Sequence, residues 1–270
     1  MDASVRYPAA AGSFYPADPE ELRQHVQQLL HQVPVKPVPG ELKALIVPHA
    51  GYIYSGRIAA VGYKLITGLF QSRPYLEKLQ TLLLLGPAHF VRFPGAATLH
   101  VDYWQTPLGQ VPSSKLIATI SQSPLLQNLP HAHQREHSLE VQLPFLQSVL
   151  EKFSIFPIGT GDLSFKELAQ FLLKYVEKFD LIVVSSDLSH YYPYEEAIEL
   201  DSIAHEAITS LNCEKMEQRA EACGKAAILT LMQIAKDLRW KSMLLDYCNS
   251  GDTAGDKESV VGYGCYAFYA

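Results

Sequence analysis

The chain has 270 residues, 48% of them hydrophobic, and its 28 acidic against 22 basic side chains leave a net charge of -6. Enough apolar surface is present to bury a real core, while the acidic balance gives no electrostatic footing for nucleic acid or an anionic membrane. No stretch reaches the ~18 uninterrupted apolar residues of a membrane span and no signal-peptide pattern opens the chain, so a cytoplasmic protein forming one domain over residues 1–270 is expected.

In chain order, "DPEELRQHVQQLLHQ" reads as a helix, broken by the prolines of "HQVPVKPVPGE". The apolar run in "ELKALIVPHAGYIYSG" has strand length, and "SGRIAAVGYKLITGLF" then shows helical spacing with Ser55 as its expected N-cap. A strand "LQTLLLLG" follows. Further on, the strand "FSIFPIG" leads to a helix "SFKELAQFLLKYVEKF" and to the strand in "DLIVVSSDLSHYYP". Helices from Tyr194 to about Leu211 and from Gly224 to about Leu238 precede two closing strands, "WKSMLLDYC" and "SVVGYGCYAFY", an antiparallel pair by their proximity. Continuous apolar strands alternating with amphipathic helices predict an α/β fold around a buried, mostly parallel sheet.

Three of these strands end alike: "ALIVPH" at His49, "LLLLGPAH" at His89 and "LIVVSSDLSH" with Asp187 and His190. Ligands of open α/β sheets bind outside the carboxyl ends of the strands, so parallel neighbours would bring these side chains to one rim. Two imidazoles and a carboxylate with open positions form the facial set of non-haem iron sites. The same groups can instead do acid/base work without a metal, with Asp187 orienting His190.

A second histidine group lies in "PHAHQREHSLEVQLPFL". His137 and Glu140 are one helical turn apart, which suits local pairing at a helix start or a place for His137 in the pocket. Asp252 and Asp256, in the turn "CNSGDTAGDKE", are candidate oxygen ligands. Cys223 directly precedes the helix opened by Gly224, whose positive end would favour the thiolate, the alternative being a buried inert thiol. The four cysteines, Cys213, Cys223, Cys248 and Cys265, are irregularly spaced and are expected to be free.

With these segments assembled, the chain resembles the MEMO family, the AmmeMemoRadiSam system protein B group of prokaryotes. The resemblance is carried by "RYPAAAGSFYPAD", "VPHAGYIYSG", "LLGPAHF", "REHSLEVQLPFLQ", "SSDLSHY", "ACGKAAI" and "SGDTAGDKESVVGY". It implies a three-layer α/β/α sandwich similar to class III extradiol dioxygenases. It also implies His49 and His89 as metal ligands, His190 as the acid/base histidine with Asp187 beside it, and His137 near the pocket. Animal relatives carry a cysteine in the closing turn where this chain has Thr253, so the third ligand is expected to be Asp252, or Cys248 if the loop differs. The resemblance implies iron(II) as the cofactor, with copper or zinc as alternatives and a metal-free pocket as the remaining case. It further implies a radical-SAM protein and an AMMECR-type protein as partners, with a small molecule or peptide in the pocket. Two functions follow: a non-haem-iron redox enzyme in a modification pathway, or a non-catalytic module that binds a peptide or partner.

Overall fold

The structure, a computed structural model, describes residues 3–70 and 80–270. Leu79, the first residue of one strand read from the sequence, lies outside the described residues.

The chain opens with β1 (Val5–Arg6) and α1 (Pro19–Gln32). Asp18 caps α1 by accepting the Glu20 and Glu21 N–H groups at 2.9 Å each, and Leu22, Val26 and Leu29 form its buried stripe. There follow β2 (Leu42–Val47), α2 (Tyr52–Phe70), β3 (Gln80–Pro87), β4 (Ala96–Thr98), β5 (Tyr103–Thr106) and β6 (Gly109–Pro112). Next come α3 (Leu116–Ile120), β7 (Leu126–Asn128), α4 (Pro130–His133), α5 (Leu143–Val149), β8 (Phe153–Thr160), α6 (Phe165–Leu173) and β9 (Leu181–Ser185). The chain finishes with β10 (His190–Tyr192), α7 (Tyr194–Thr209), α8 (Cys213–Arg219), α9 (Lys225–Asp237), β11 (Lys241–Asn249) and β12 (Val260–Tyr269).

The main sheet runs β10-β12-β2-β9-β3-β8-β4-β7, with β11 also on β12. Its centre, β2-β9-β3-β8, is parallel, as the continuous apolar strands predict. At the flanks the closing pair β11 and β12 is antiparallel, as expected, while β12 is also antiparallel to β2 and β10 and β4 is antiparallel to β8, which departs from the mostly parallel expectation. Side chains alternate between two cores. Leu82 and Leu84 of β3 join Leu45, Ile155 and Val183 under α1, α2 and α5, while Leu83 and Leu85 join Ile46, Phe156 and Val184 under α6, α7, α8 and α9. This two-faced burial makes the fold a three-layer α/β/α sandwich.

Three local readings are corrected. Helix α2 starts at Tyr52, so Ser55 lies within its first turn and donates its hydroxyl to the Ala50 carbonyl at 2.9 Å instead of capping. The helix read to Phe179 stops at Leu173 and gives way to a 3-10 turn at Val176–Lys178. A small sheet, β1-β5-β6, escaped the sequence because its first strand has two residues. No helix among the described residues is long and apolar enough to cross a membrane, and all four cysteines are free.

Candidate metal centre

Strands β2 and β9 pair in register up to Val47 opposite Ser185, with β3 beside β9 in the same direction. Their three chains leave the sheet at one edge, and His49, Asp187 and His89 each stand two residues past a strand end. His137 arrives from the segment between α4 and α5. His49, His89 and His137 each offer a ligand atom within 4.8 Å of the others. Their ring centroids are 5.1 Å apart for His49 and His89, 5.4 Å for His49 and His137, and 4.8 Å for the stacked His89 and His137.

Hydrogen bonding fixes the state of two of these rings. The Ser185 hydroxyl donates to the Ser138 carbonyl (2.6 Å) and accepts from the Gln142 amide (2.7 Å), so at 3.0 Å from His49 Nδ1 it can only accept again. His49 therefore carries its proton on Nδ1 and keeps a lone pair on Nε2. The Glu136 carboxylate accepts the His89 ring at Nδ1 (2.9 Å) together with the backbone N–H groups of His89 (2.5 Å), His137 (3.0 Å) and Ser138 (2.9 Å). Burial opposes ionisation of Glu136, but the bonds from His89 and Ser138 outweigh it and hold its pKa at about 2. A carboxylate that only accepts leaves His89 with its lone pair on Nε2. Burial, reinforced by the neighbouring imidazoles, lowers His49 to about 3 and His137 to about 4.

At neutral pH both are uncharged donors, the form that binds metals. Nδ1 of His137 is buried with no hydrogen-bond partner among the described residues. Two tautomer-locked imidazoles and a third ring, whose Nδ1 has the Glu136 carboxylate 3.5 Å away without a hydrogen bond, fit a first-row divalent cation.

The remaining expected residues divide sharply. Asp187 is buried and accepts the His49 N–H at 2.7 Å and the Ala50 N–H at 3.3 Å, so it holds the His49 turn and does not orient His190. Burial raises its pKa against the pull of the His49 N–H. His190 heads β10, half-buried, with its N–H on Glu221 at 3.2 Å. Glu140 is not paired with His137. It binds the Arg6 guanidinium, the Tyr15 hydroxyl (2.5 Å) and the N–H groups of Ala9 (2.8 Å) and Ala10 (2.9 Å).

Asp252, expected as third ligand, stands outside the imidazole group. Its two oxygens accept the Tyr194 hydroxyl at 2.6 Å and the Asn249 N–H at 3.0 Å, completing a capping box around a 3-10 turn at Ser250–Asp252. Cys248 packs into the core beneath α2, where burial pushes its thiol up to about 12. Cys223 meets the site, with Sγ 3.1 Å from His49 Nε2. Its thiol is pushed up by burial and by the Asp187 charge, against the lowering expected from the helix end.

A cavity of about 620 Å³ opens beside the imidazoles, lined by Pro87, Ala88, Arg92, Phe93, Asp162 and Cys223. Around the rim, Phe14 stacks on His137 at 4.2 Å, and Phe90 and Tyr191 are 51% and 75% exposed. Tyr191 has a φ of 66°, a conformation rare outside glycine and common where function demands it. Sequence reading missed Glu136, although a carboxylate immediately before a pocket histidine is the signal that could have found it.

Comparison with known families matches residues 6–267 to the family described as Memo-like protein. A MEMO1 family protein of Aquifex aeolicus is 39% identical and one of Sulfolobus acidocaldarius 37%, each alignment covering 96% of this chain and 97% of the relative. One of Nitrosopumilus maritimus is 35% identical over 98% of this chain and 99% of its own.

Proposed function

Because the chain belongs to the Memo-like protein family, we propose that it is a cytoplasmic metal-dependent protein in which His49, His89 and His137 hold iron(II) for redox chemistry. Its substrate is a small molecule or peptide, and it acts with a radical-SAM protein and an AMMECR-type protein in a modification pathway. The observation that carries this reading is the cluster of imidazoles, two of them held neutral by burial and two locked in tautomer by Ser185 and Glu136. An all-imidazole set suits iron, zinc and copper alike. The likeness to extradiol dioxygenases favours iron, with copper or zinc as the alternatives.

When bound, iron(II) would supply a one-electron couple and Lewis acidity toward a coordinated group. The chain's own residues supply the rest. Glu136 and Ser185 keep the donor nitrogens free of protons, and the cavity past Cys223 offers the substrate a way in. His190, tied through its backbone to Glu221, carries a proton at the edge of the cluster. Asp187 keeps the His49 turn in place.

Protein purified without oxygen should contain close to one iron per chain, lost in His89→Ala and His137→Ala. Oxygen uptake should appear on adding the partner proteins. Wild-type protein that retains no metal above background overturns the reading. The exposed rim of Phe90 and Tyr191 favours a second reading, a non-catalytic module that docks a peptide; it predicts partner capture without oxygen uptake.

A further inference from the structure

The cavity beside the imidazoles has unused charge on one wall. Arg92 and Asp162 both line it and both are exposed. Neither side chain has a hydrogen bond or ion pair among the described residues, so the two do not pair with each other. A guanidinium and a carboxylate that share a concave wall without meeting are both satisfied at once by a ligand carrying the reverse pair of charges.

The wall that holds them is fixed by its backbone. The Asp162 N–H donates to the Phe93 carbonyl at 2.8 Å, the Gly95 N–H to the Asp162 carbonyl at 2.8 Å, and the Gly161 N–H to the Gly95 carbonyl at 3.0 Å. Gly161 permits this approach, since a Cβ there would lie 2.2 Å from the Phe93 carbonyl oxygen. Pro94 stands opposite Asp162 in a parallel bridge. Arg92 and Pro94 are exposed while Phe93 between them is buried, so Arg92 shares the face of Pro94, beside Asp162. The positive and negative side chains therefore leave one rigid surface on the same side, a placement made before any ligand arrives.

The rest of the cavity suits a small apolar body. Pro87, Ala88 and Val91 line it, and its volume of about 620 Å³ is that of a small-molecule site. Cys223 lines it as well, with Sγ 3.1 Å from His49 Nε2, so an occupant gripped by the wall lies next to the imidazoles.

We propose that the substrate is a zwitterion of the α-amino acid class, its carboxylate held by Arg92, its ammonium by Asp162 and its side chain by the apolar lining. The proposal rests on the reading of this cavity as the substrate's entry and narrows the small molecule or peptide to one with both charges free.

The test is isothermal titration calorimetry of the full-length protein with L-leucine, L-methionine and L-phenylalanine, each alongside its N-acetyl derivative and its amide. At least one amino acid should bind with a Kd below about 1 mM. Its acetylated and amidated forms, each lacking one charge, should bind about tenfold or more weakly. Arg92→Ala should weaken the amino acid about tenfold and become indifferent to amidation; Asp162→Ala should weaken it similarly and become indifferent to acetylation. Both substitutions are at exposed positions, where the fold tolerates them. Absence of binding by all three amino acids overturns the proposal, as do derivatives that bind as tightly as their parent. Sensitivity to amidation without sensitivity to acetylation overturns it in favour of a plain anion site. Undiminished binding in both variants overturns it by placing the ligand elsewhere. Metal content measured on the same samples keeps the two readings apart: protein that holds metal but ignores the amino acids sinks this proposal alone, and protein that binds an amino acid at this wall without metal supports it while sinking the metal reading. The wild-type comparison of derivatives decides the question even if a variant does not fold.

Discussion

Glu136 and Glu140 stand four residues apart on the segment between α4 and α5, 3% and 0% exposed, and do opposite things. Glu140 takes every bond from the N-terminal segment: the Arg6 guanidinium, the Tyr15 hydroxyl and the N–H groups of Ala9 and Ala10. The same guanidinium also donates to the His133 and Glu136 carbonyls, so this clasp closes on backbone and reaches no imidazole ring. Glu136 takes its bonds from the loops of the metal centre, one of them from the His89 ring. An imidazole has a second nitrogen, so that chain of bonds continues into the site. Burial alone does not tell a structural carboxylate from a functional one; the partners do.

The sharpest way to break this contrast is Glu140→Ala. It strands Arg6 in the interior and should cost about 3–5 kcal/mol in urea unfolding, while the folded fraction binds metal as wild type. A loss of metal affinity without a loss of stability would place Glu140 on the same side as Glu136. On that other side, removing a donor outright by His89→Ala or His137→Ala should weaken metal binding by more than about 100-fold, with little effect on unfolding of the metal-free protein. Glu136→Gln keeps the shape but frees the His89 tautomer, and should weaken binding by about 10–100-fold.

Acid separates the regions more gently. Burial lowers His133, whose carbonyl receives Arg6 on the clasp side, to about 4. A depressed histidine pKa means the unfolded chain binds the proton first, so stability is full above about 6.5 and falls as pH drops toward 4. Between pH 7 and 5 this one group should cost about 1–2 kcal/mol, and His133→Gln should flatten the urea-unfolding profile by that amount. A profile unchanged by the substitution would show that His133 is not held neutral. The smallest effect belongs to Asp252→Ala, which removes a cap worth about 1 kcal/mol and should leave metal affinity untouched. Metal loss in that variant would restore Asp252 as a ligand.

What the sequence disclosed follows the same division. His49 and His89 were legible because each follows a strand end, and strand direction is encoded in the apolar runs before them. His137 was visible as a histidine but not as the third donor, because its loop reaches the rim from outside the sheet. Arg6 and Tyr15 gave no sign, since the Glu140 they serve lies more than a hundred residues away along the chain. Asp252 misled because a turn rich in glycine and aspartate looks like a ligand loop until Tyr194 is seen to occupy one of its oxygens. The parallel centre of the sheet was readable from continuous hydrophobicity and the antiparallel closing pair from its two successive strands, whereas the antiparallel contacts of β12 with β2 and of β4 with β8 depend on pairings that no local pattern records.

The position of β12 has a consequence for how the protein is made. Tyr266, near the end of the chain, pairs with Ile46, near its beginning, and the strand that carries it joins β2 to β10 and β11. A ribosome delivers His49, His89 and His137 long before it delivers that strand. Until β12 has been made, β2 presents an unpaired edge, an invitation to wrong partners that a growing chain must be shielded from. The sheet behind the metal centre is therefore completed only once β12 has emerged, and a chain cut within β12 forfeits that closure while retaining all three imidazoles.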